Sequence, residues 1–171
     1  MAGEAKIAIR MTQNWKSENW DELIGGQSCP VCDLLHLDQP EDAHGIFVAD
    51  LTFSRLFLAK NQYVRGYCVL MCQRHVIEPY ELTADERAMY FNDLALVGQG
   101  LRQAFKADKL NYNILGNAIP HLHAHILPRY FTDDAPNRPI DPGLKGHEVY
   151  LAAEGYAERI KLIRSHIGAE T

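Results

Sequence analysis

The chain has 171 residues, an apolar share of 47% and a formal net charge of −5. That length suits one domain of ordinary size. The acid excess and the scattered Lys and Arg residues exclude the electrostatic footprint of a nucleic-acid-polymer binder, and no stretch reaches the roughly 18–20 apolar residues of a membrane helix.

Residues 1–28 read as an N-terminal arm. No apolar run in 1–11 resembles a secretion signal, so the expected location is cytoplasmic. Trp15 and Trp20 flank a polar stretch ending at Gly25 and Gly26, which suits a short helix stopped by glycine. Cys29 and Cys32 then form a C-x-x-C pair, which in a cytosol-like chain points to metal or redox use. Three short apolar runs follow at 46–48, 56–58 and 67–71, and they suit an antiparallel meander. Cys68 and Cys72 fall in the third run and read as core residues.

A helix is predicted from a capping box at Thr83 and Glu86 to about residue 107, with Tyr90, Leu94, Val97 and Leu101 as its apolar stripe. Strands are predicted at 111–115 and 121–127, the latter stopped by Pro128. Residues 132–146 are rich in Pro, Asp, Gly and Asn, a loop of the length that often carries function. A final helix is expected over 148–167, with Val149, Ala152, Tyr156, Ile160 and Ile163 as its buried face. The chain thus divides into an arm (1–28), a central body (29–131), and a loop with a C-terminal helix (132–171) packed on that body.

The chemistry concentrates at His121-Leu122-His123-Ala124-His125. Alternate strand residues share a face, so the three imidazoles should line one side while Leu122, Ala124 and Ile126 pack on the other. Singly, each histidine reads as a satisfied core or surface residue. Three together desolvate one another and compete for protons near neutral pH, a cost that a structural role rarely asks for. Two chemistries fit the pattern: a metal site, or nucleophilic catalysis by imidazole.

Residues 110–129, with the alternating histidines and the closing Pro128-Arg129, resemble the signature of the histidine-triad (HIT) family. Residues 65–76, an apolar strand running into Arg74 and His75, resemble its upstream landmark. The resemblance covers about a hundred residues between Cys29 and Arg129, which makes 29–131 the HIT domain. It implies an α+β fold: a five-stranded, mainly antiparallel sheet, a central helix and a longer C-terminal helix. It also implies homodimers formed through that helix and a strand.

By position, the resemblance makes His123 the nucleophile attacking the α-phosphorus of a nucleotide phosphoanhydride or phosphoramidate, and an adenosine-based substrate is expected. His125 would donate to the phosphate or the leaving group, and the amides of Gly116 to Ala118 with the Asn117 side chain would bind phosphate oxygens. The related transferase branch commonly has glutamine at the third position; His125 there favours a hydrolase. The other readings are nucleotidyl transfer or phosphorolysis, and a nucleotide- and zinc-binding protein with little catalysis.

Some bacterial members carry a C-x-x-C and bind structural Zn2+ through it, the histidine after the apolar strand and the first triad histidine. Here those positions are Cys29, Cys32, His75 and His121, with His36 as a local alternative to His75. Three departures bear on substrate. Tyr67 stands where many members have a histidine contacting the site, and its apolar flanks favour packing over a hydroxyl contact. Ala59 occupies the usual ribose-binding position, leaving Asn61 as the candidate ribose contact. Ala118 replaces a small hydroxyl residue.

Overall fold

The computed structural model describes residues 19–38, 41–140 and 146–169. Trp15, most of the N-terminal arm and 141–145 of the long loop lie outside the described residues. The elements run α1 (Trp20–Ile24), α2 (Pro30–Leu35), β1 (Gly45–Asp50), β2 (Ser54–Ala59), β3 (Cys68–Cys72), α3 (Ala84–Phe105), β4 (Lys109–Asn113), β5 (His123–Arg129) and α4 (Ala153–Ile167), with a 3-10 turn at Pro79–Glu81. No helix among the described residues is long and apolar enough to cross a membrane.

The α+β fold is the expected one. One five-stranded sheet has the order β1-β2-β3-β5-β4, and every neighbouring pair is antiparallel. The meander of β1, β2 and β3 follows from short apolar runs joined by tight connections. One sheet face is covered by helices. Leu56, Leu58, Cys68, Leu70, Ala124 and Ile126 pack there against Tyr90, Leu94, Val97, Leu101 and Ile163. The other face carries the histidines.

Helix α3 starts where its capping box sits. The Glu86 amide donates to Thr83 Oγ1, and the Thr83 amide donates to Glu86 Oε2. It ends at Lys106, which adopts the left-handed conformation. Gly100 lets α4 approach, since a Cβ there would stand 2.4 Å from Ile167 Cγ2.

Two expectations need correction. The C-terminal helix begins at Ala153, not near 148, so α4 has 15 residues against 22 for α3. The backbone of Val149 is already committed: its carbonyl accepts from the Gln62 amide and its N–H donates to Asn61 Oδ1. Val149 and Ala152 are therefore exposed, while Ile163 and Ile167 form the buried face. The last strand begins at His123, so His121 and Leu122 precede it. A turn bonds the His121 amide to the Ile119 carbonyl, and the Leu122 amide donates to the Val76 carbonyl instead of continuing the ladder.

Candidate active site and metal centre

The break before β5 separates the three histidines. His121 is fully buried on one side of the break, and its Nδ1 lies 3.4 Å from Cys29 Sγ, 3.6 Å from Cys32 Sγ and 3.2 Å from His75 Nδ1. His75 Nδ1 is 3.3 Å from Cys32 Sγ. A tetrahedral zinc with Zn–S near 2.3 Å and Zn–N near 2.05 Å separates sulfur from nitrogen by about 3.6 Å, and nitrogen from nitrogen by about 3.3 Å. Those four distances are close to that spacing, and all four donor atoms lie within 4.8 Å of one another.

The outer ring nitrogens support the same fit. His121 Nε2–H donates to the Cys72 carbonyl at 2.7 Å, and His75 Nε2–H donates to the Ile24 carbonyl at 3.0 Å. Each bond fixes the tautomer that leaves Nδ1 bare toward the cluster, as metal-ligating histidines require. Burial pushes the Cys32 thiol well above its ordinary value, with Cys29 adding to it. It also holds His121 down at about 4. A bound cation would reverse the penalty on the thiolates and exploit a neutral imidazole.

Local sequence explains how these donors meet. Pro30 opens α2 and places Cys29 at its N-cap and Cys32 one turn on. Gly26 adopts a positive φ of 73° close to the His75 ring, where a Cβ would lie 3.2 Å from the ring edge, so α1 can reach the His75 nitrogen. His36, the local alternative, is not part of the cluster.

His123 and His125 sit in β5 on the opposite face from the core, opposite Met71 and Val69 of β3. His123 Nδ1–H donates to the His121 carbonyl at 2.5 Å. That bond leaves Nε2 with its lone pair. Burial pulls the His123 pKa below its ordinary value, though the carbonyl bond opposes the shift. Burial holds His125 at about 4, with the His123 charge adding to it. Both rings are thus neutral at pH 7, and they stand edge-to-face with centroids 4.9 Å apart.

The two rings open into a cavity of about 600 Å³. Its walls are largely apolar, with Val31 and Leu34 from α2, Val69 and Met71 from β3, and Leu115 and Ile119 from the loop before β5. A pocket of this size and character suits a nucleotide-sized ligand.

The other predicted contacts fall around it. Tyr67 corrects the packing expectation in part: its ring is buried, but its hydroxyl lies 2.6 Å from His125 Nδ1. Asn61 lines the cavity, with Oδ1 accepting from the Tyr63 and Val149 amides. Gly116, Asn117 and Ala118 lie in the exposed loop whose flanking Leu115 and Ile119 line the cavity, and Gly116 has a φ of 75°. Those three residues are not themselves in the wall.

Sequence reasoning missed Glu148 and Tyr150, which join the wall from the extended segment before α4, and Asp42 and His44 before β1. No spacing rule marks them, because they reach the cavity through long-range backbone pairing. It also missed the burial of Arg129. Its Nε pairs with Asp133 at 2.7 Å, and its terminal nitrogens donate to Asn111 Oδ1 and to the carbonyls of Ala135 and Arg138. Arg129 therefore fastens the loop after β5 to the sheet and does not face the histidines.

Residues 41–132 match the HIT domain family model. A stretch of 60 residues, 32% of this chain, is 38% identical to bis(5'-adenosyl)-triphosphatase of Saccharomyces cerevisiae but spans only 29% of that protein's length. Among solved structures, a histidine triad protein from Bradyrhizobium japonicum matches with a TM-score of 0.67 at 25% identity, over 75% of this chain and 98% of that one. A Zn-bound histidine triad family protein from Mycobacterium smegmatis shares the fold with a TM-score of 0.59 at 19% identity, over 84% of this chain and 96% of that one.

Proposed function

The chain belongs to the HIT domain family, its model matching more than half of the 171 residues, and from that premise we propose that it hydrolyses a nucleotide phosphoanhydride or phosphoramidate at the α-phosphorus. The bond from His123 Nδ1–H to the His121 carbonyl carries the reading, because it aims a bare Nε2 at the cavity. In the first step Nε2 attacks phosphorus, an N–P bond forms, and the P–O or P–N bond to the leaving group breaks. His125 supplies the leaving group's proton. Water then attacks phosphorus and gives a proton back to His125, the N–P bond breaks, and the nucleoside monophosphate departs. Two displacements each have a lower barrier than one.

The amides of Gly116 to Ala118 and the Asn117 side chain would bind phosphate oxygens, where charge builds up in transfer. Asn61, which lines the cavity and holds the Val149 amide through Oδ1, would contact the ribose. Cys29, Cys32, His75 and His121 would hold Zn2+, which would serve as a structural cross-link. A homodimer belongs to the same reading. Edge strand β4 and the loop after it expose Tyr112, Ile114 and Leu115, and the exposed Phe91 and Leu96 point to α3, in place of the expected C-terminal helix, as the helix that pairs. The free thiols suit a cytoplasmic protein.

The test is His123→Ala. Turnover of a fluorogenic adenosine phosphoramidate and of a diadenosine polyphosphate should vanish, while calorimetry still detects adenosine monophosphate binding. A wild-type protein that binds the nucleotide but turns over neither substrate would favour the reading as a nucleotide- and zinc-binding protein.

A further inference from the structure

Tyr67 enters the site through a rigid turn. Its N–H donates to the Val64 carbonyl at 3.0 Å, and its carbonyl accepts from the Ala59 amide at 3.0 Å and from Gln62 Nε2 at 3.2 Å. Gln62 Oε1 in turn accepts from the Gly66 amide at 2.9 Å. Gly66 has a φ of 81°, and a Cβ there would meet the Phe105 ring at 2.5 Å, so only glycine lets the chain turn so close to α3. The ring that follows packs with Ala59, Val64 and Leu127. Little freedom remains for the hydroxyl, which sits 2.6 Å from His125 Nδ1.

Two arguments set the direction of that bond. A phenol O–H is a far stronger acid than the N–H of a neutral imidazole, so the pair is most stable with the hydroxyl donating. His123 already presents a bare nitrogen to the cavity. A second bare nitrogen beside it would leave the histidine pair with no donor for an anionic phosphate. With Nδ1 occupied by the hydroxyl, Nε2 is the nitrogen His125 has left for the cavity.

We infer that Tyr67 is a positioning residue that donates to His125 Nδ1 and so fixes His125 as the Nε2–H tautomer, the hydrogen-bond and proton donor to the leaving group. The inference rests on the proposed role of His125. In the attack step, the electron pair of the breaking P–N or P–O bond goes to the leaving atom. The proton on His125 Nε2 moves to that atom, and the hydroxyl proton of Tyr67 can follow onto Nδ1. In the hydrolysis step the attacking water gives its proton to His125 Nε2, and the proton on Nδ1 returns to the tyrosinate oxygen, which resets the pair. The arrangement matters most for a poor leaving group such as an amine, which cannot depart without a proton.

The experiment has two arms on the full-length, zinc-supplied protein. Long-range 1H–15N correlation on the histidine rings should find His125 with an unprotonated Nδ1 and a protonated Nε2, and Tyr67→Phe should turn that single tautomer into a mixture. Kinetics should then compare two adenosine 5'-phosphoryl substrates, one with an alkylamine leaving group and one with a nitrophenol. Tyr67→Phe should lower kcat on the amine substrate by about tenfold or more with KM little changed, leave the nitrophenol substrate within about threefold, and move the pH profile only for the amine. Tyr67→His should restore part of the loss. Equal losses on both substrates, or a His125 tautomer unchanged by Tyr67→Phe, would overturn the inference. The ring spectra need no turnover, so a protein that proves inactive refutes the proposed hydrolysis while the tautomer is still decided.

Discussion

Removal of the proposed zinc should be the largest single perturbation of this fold. The four donors come from α2, from the segment after β3 and from the turn before β5, and Cys29 and His121 lie 92 residues apart. A cation here would tie the N-terminal helices to the centre of the sheet. Binding to the folded chain alone stabilises it by about 4 kcal/mol when free zinc is a thousandfold above its dissociation constant. For a domain of this size each kcal/mol moves Tm by roughly 2–4 °C, so chelation should lower Tm by roughly 8–16 °C. Cys29→Ser should do the same and abolish the chelator's effect, because Cys29 is buried and its oxygen replacement is a poor zinc ligand. Elemental analysis should find about one zinc per chain, and scanning fluorimetry with and without chelator reads the shift. Less than about a tenth of an equivalent of metal, together with a Tm that neither chelator nor Cys29→Ser moves, would refute the site.

Three further outcomes follow from the geometry. His125 is held at about 4 in the fold against 6.5 for an ordinary histidine, so the unfolded chain binds more protons between those values. Its contribution to stability is complete above about pH 6.5 and is lost as pH falls toward 4, by something on the order of 3 kcal/mol. Denaturant midpoints across that range should fall less steeply in His125→Gln, and equal slopes would contradict the assignment. Gly100→Ala should lower the denaturation midpoint: overpacking against Ile167 costs about 1–3 kcal/mol and outweighs the roughly 1 kcal/mol gained in helix propensity. A raised midpoint would mean that α3 and α4 are less closely packed. The formally charged residues in the described cavity wall are Asp42 and Glu148, with no Lys or Arg beside them. Glu148→Lys should therefore raise kcat/KM for a diadenosine polyphosphate several-fold relative to a singly charged adenosine phosphoramidate, and salt should erase the gain. An unchanged ratio at low salt would remove Glu148 from substrate selection.

The parts of this protein written in local patterns were legible from the sequence. The capping box at Thr83, the stripe from Tyr90 to Leu101 and the alternation of Leu122, Ala124 and Ile126 each depend on neighbours a few residues away. The cluster of Cys29, Cys32, His75 and His121 was legible only through family resemblance, since 46 residues separate His75 from His121 and no spacing rule links them. The start of α4 was misplaced because the partners of Val149 lie at Asn61 and Gln62, almost ninety residues back. Glu148 and Tyr150 were hidden by the same pairing. Tyr67 was misjudged because its apolar flanks describe where the ring packs and say nothing of where the hydroxyl ends.

The same long-range logic explains why alternate histidines can hold two sites without conflict. A continuous strand would put all three rings on one face, where a metal-bound His121 would crowd the nucleophile. The turn at Ile119 and the bond from the Leu122 amide to Val76 take His121 out of the ladder and into the cluster with the thiols. Its ring then belongs to the metal centre while its carbonyl still accepts from His123 Nδ1. One residue thereby joins the two sites: whatever holds the His121 ring also holds the carbonyl that sets the His123 tautomer. The ring is also held by its bond to the Cys72 carbonyl, which needs no cation. Removing metal at a temperature where the fold survives should therefore weaken catalysis without abolishing it, unlike His123→Ala. A catalytic metal shared by all three histidines would instead lose all activity on chelation, and a single chelator titration at low temperature separates the two arrangements.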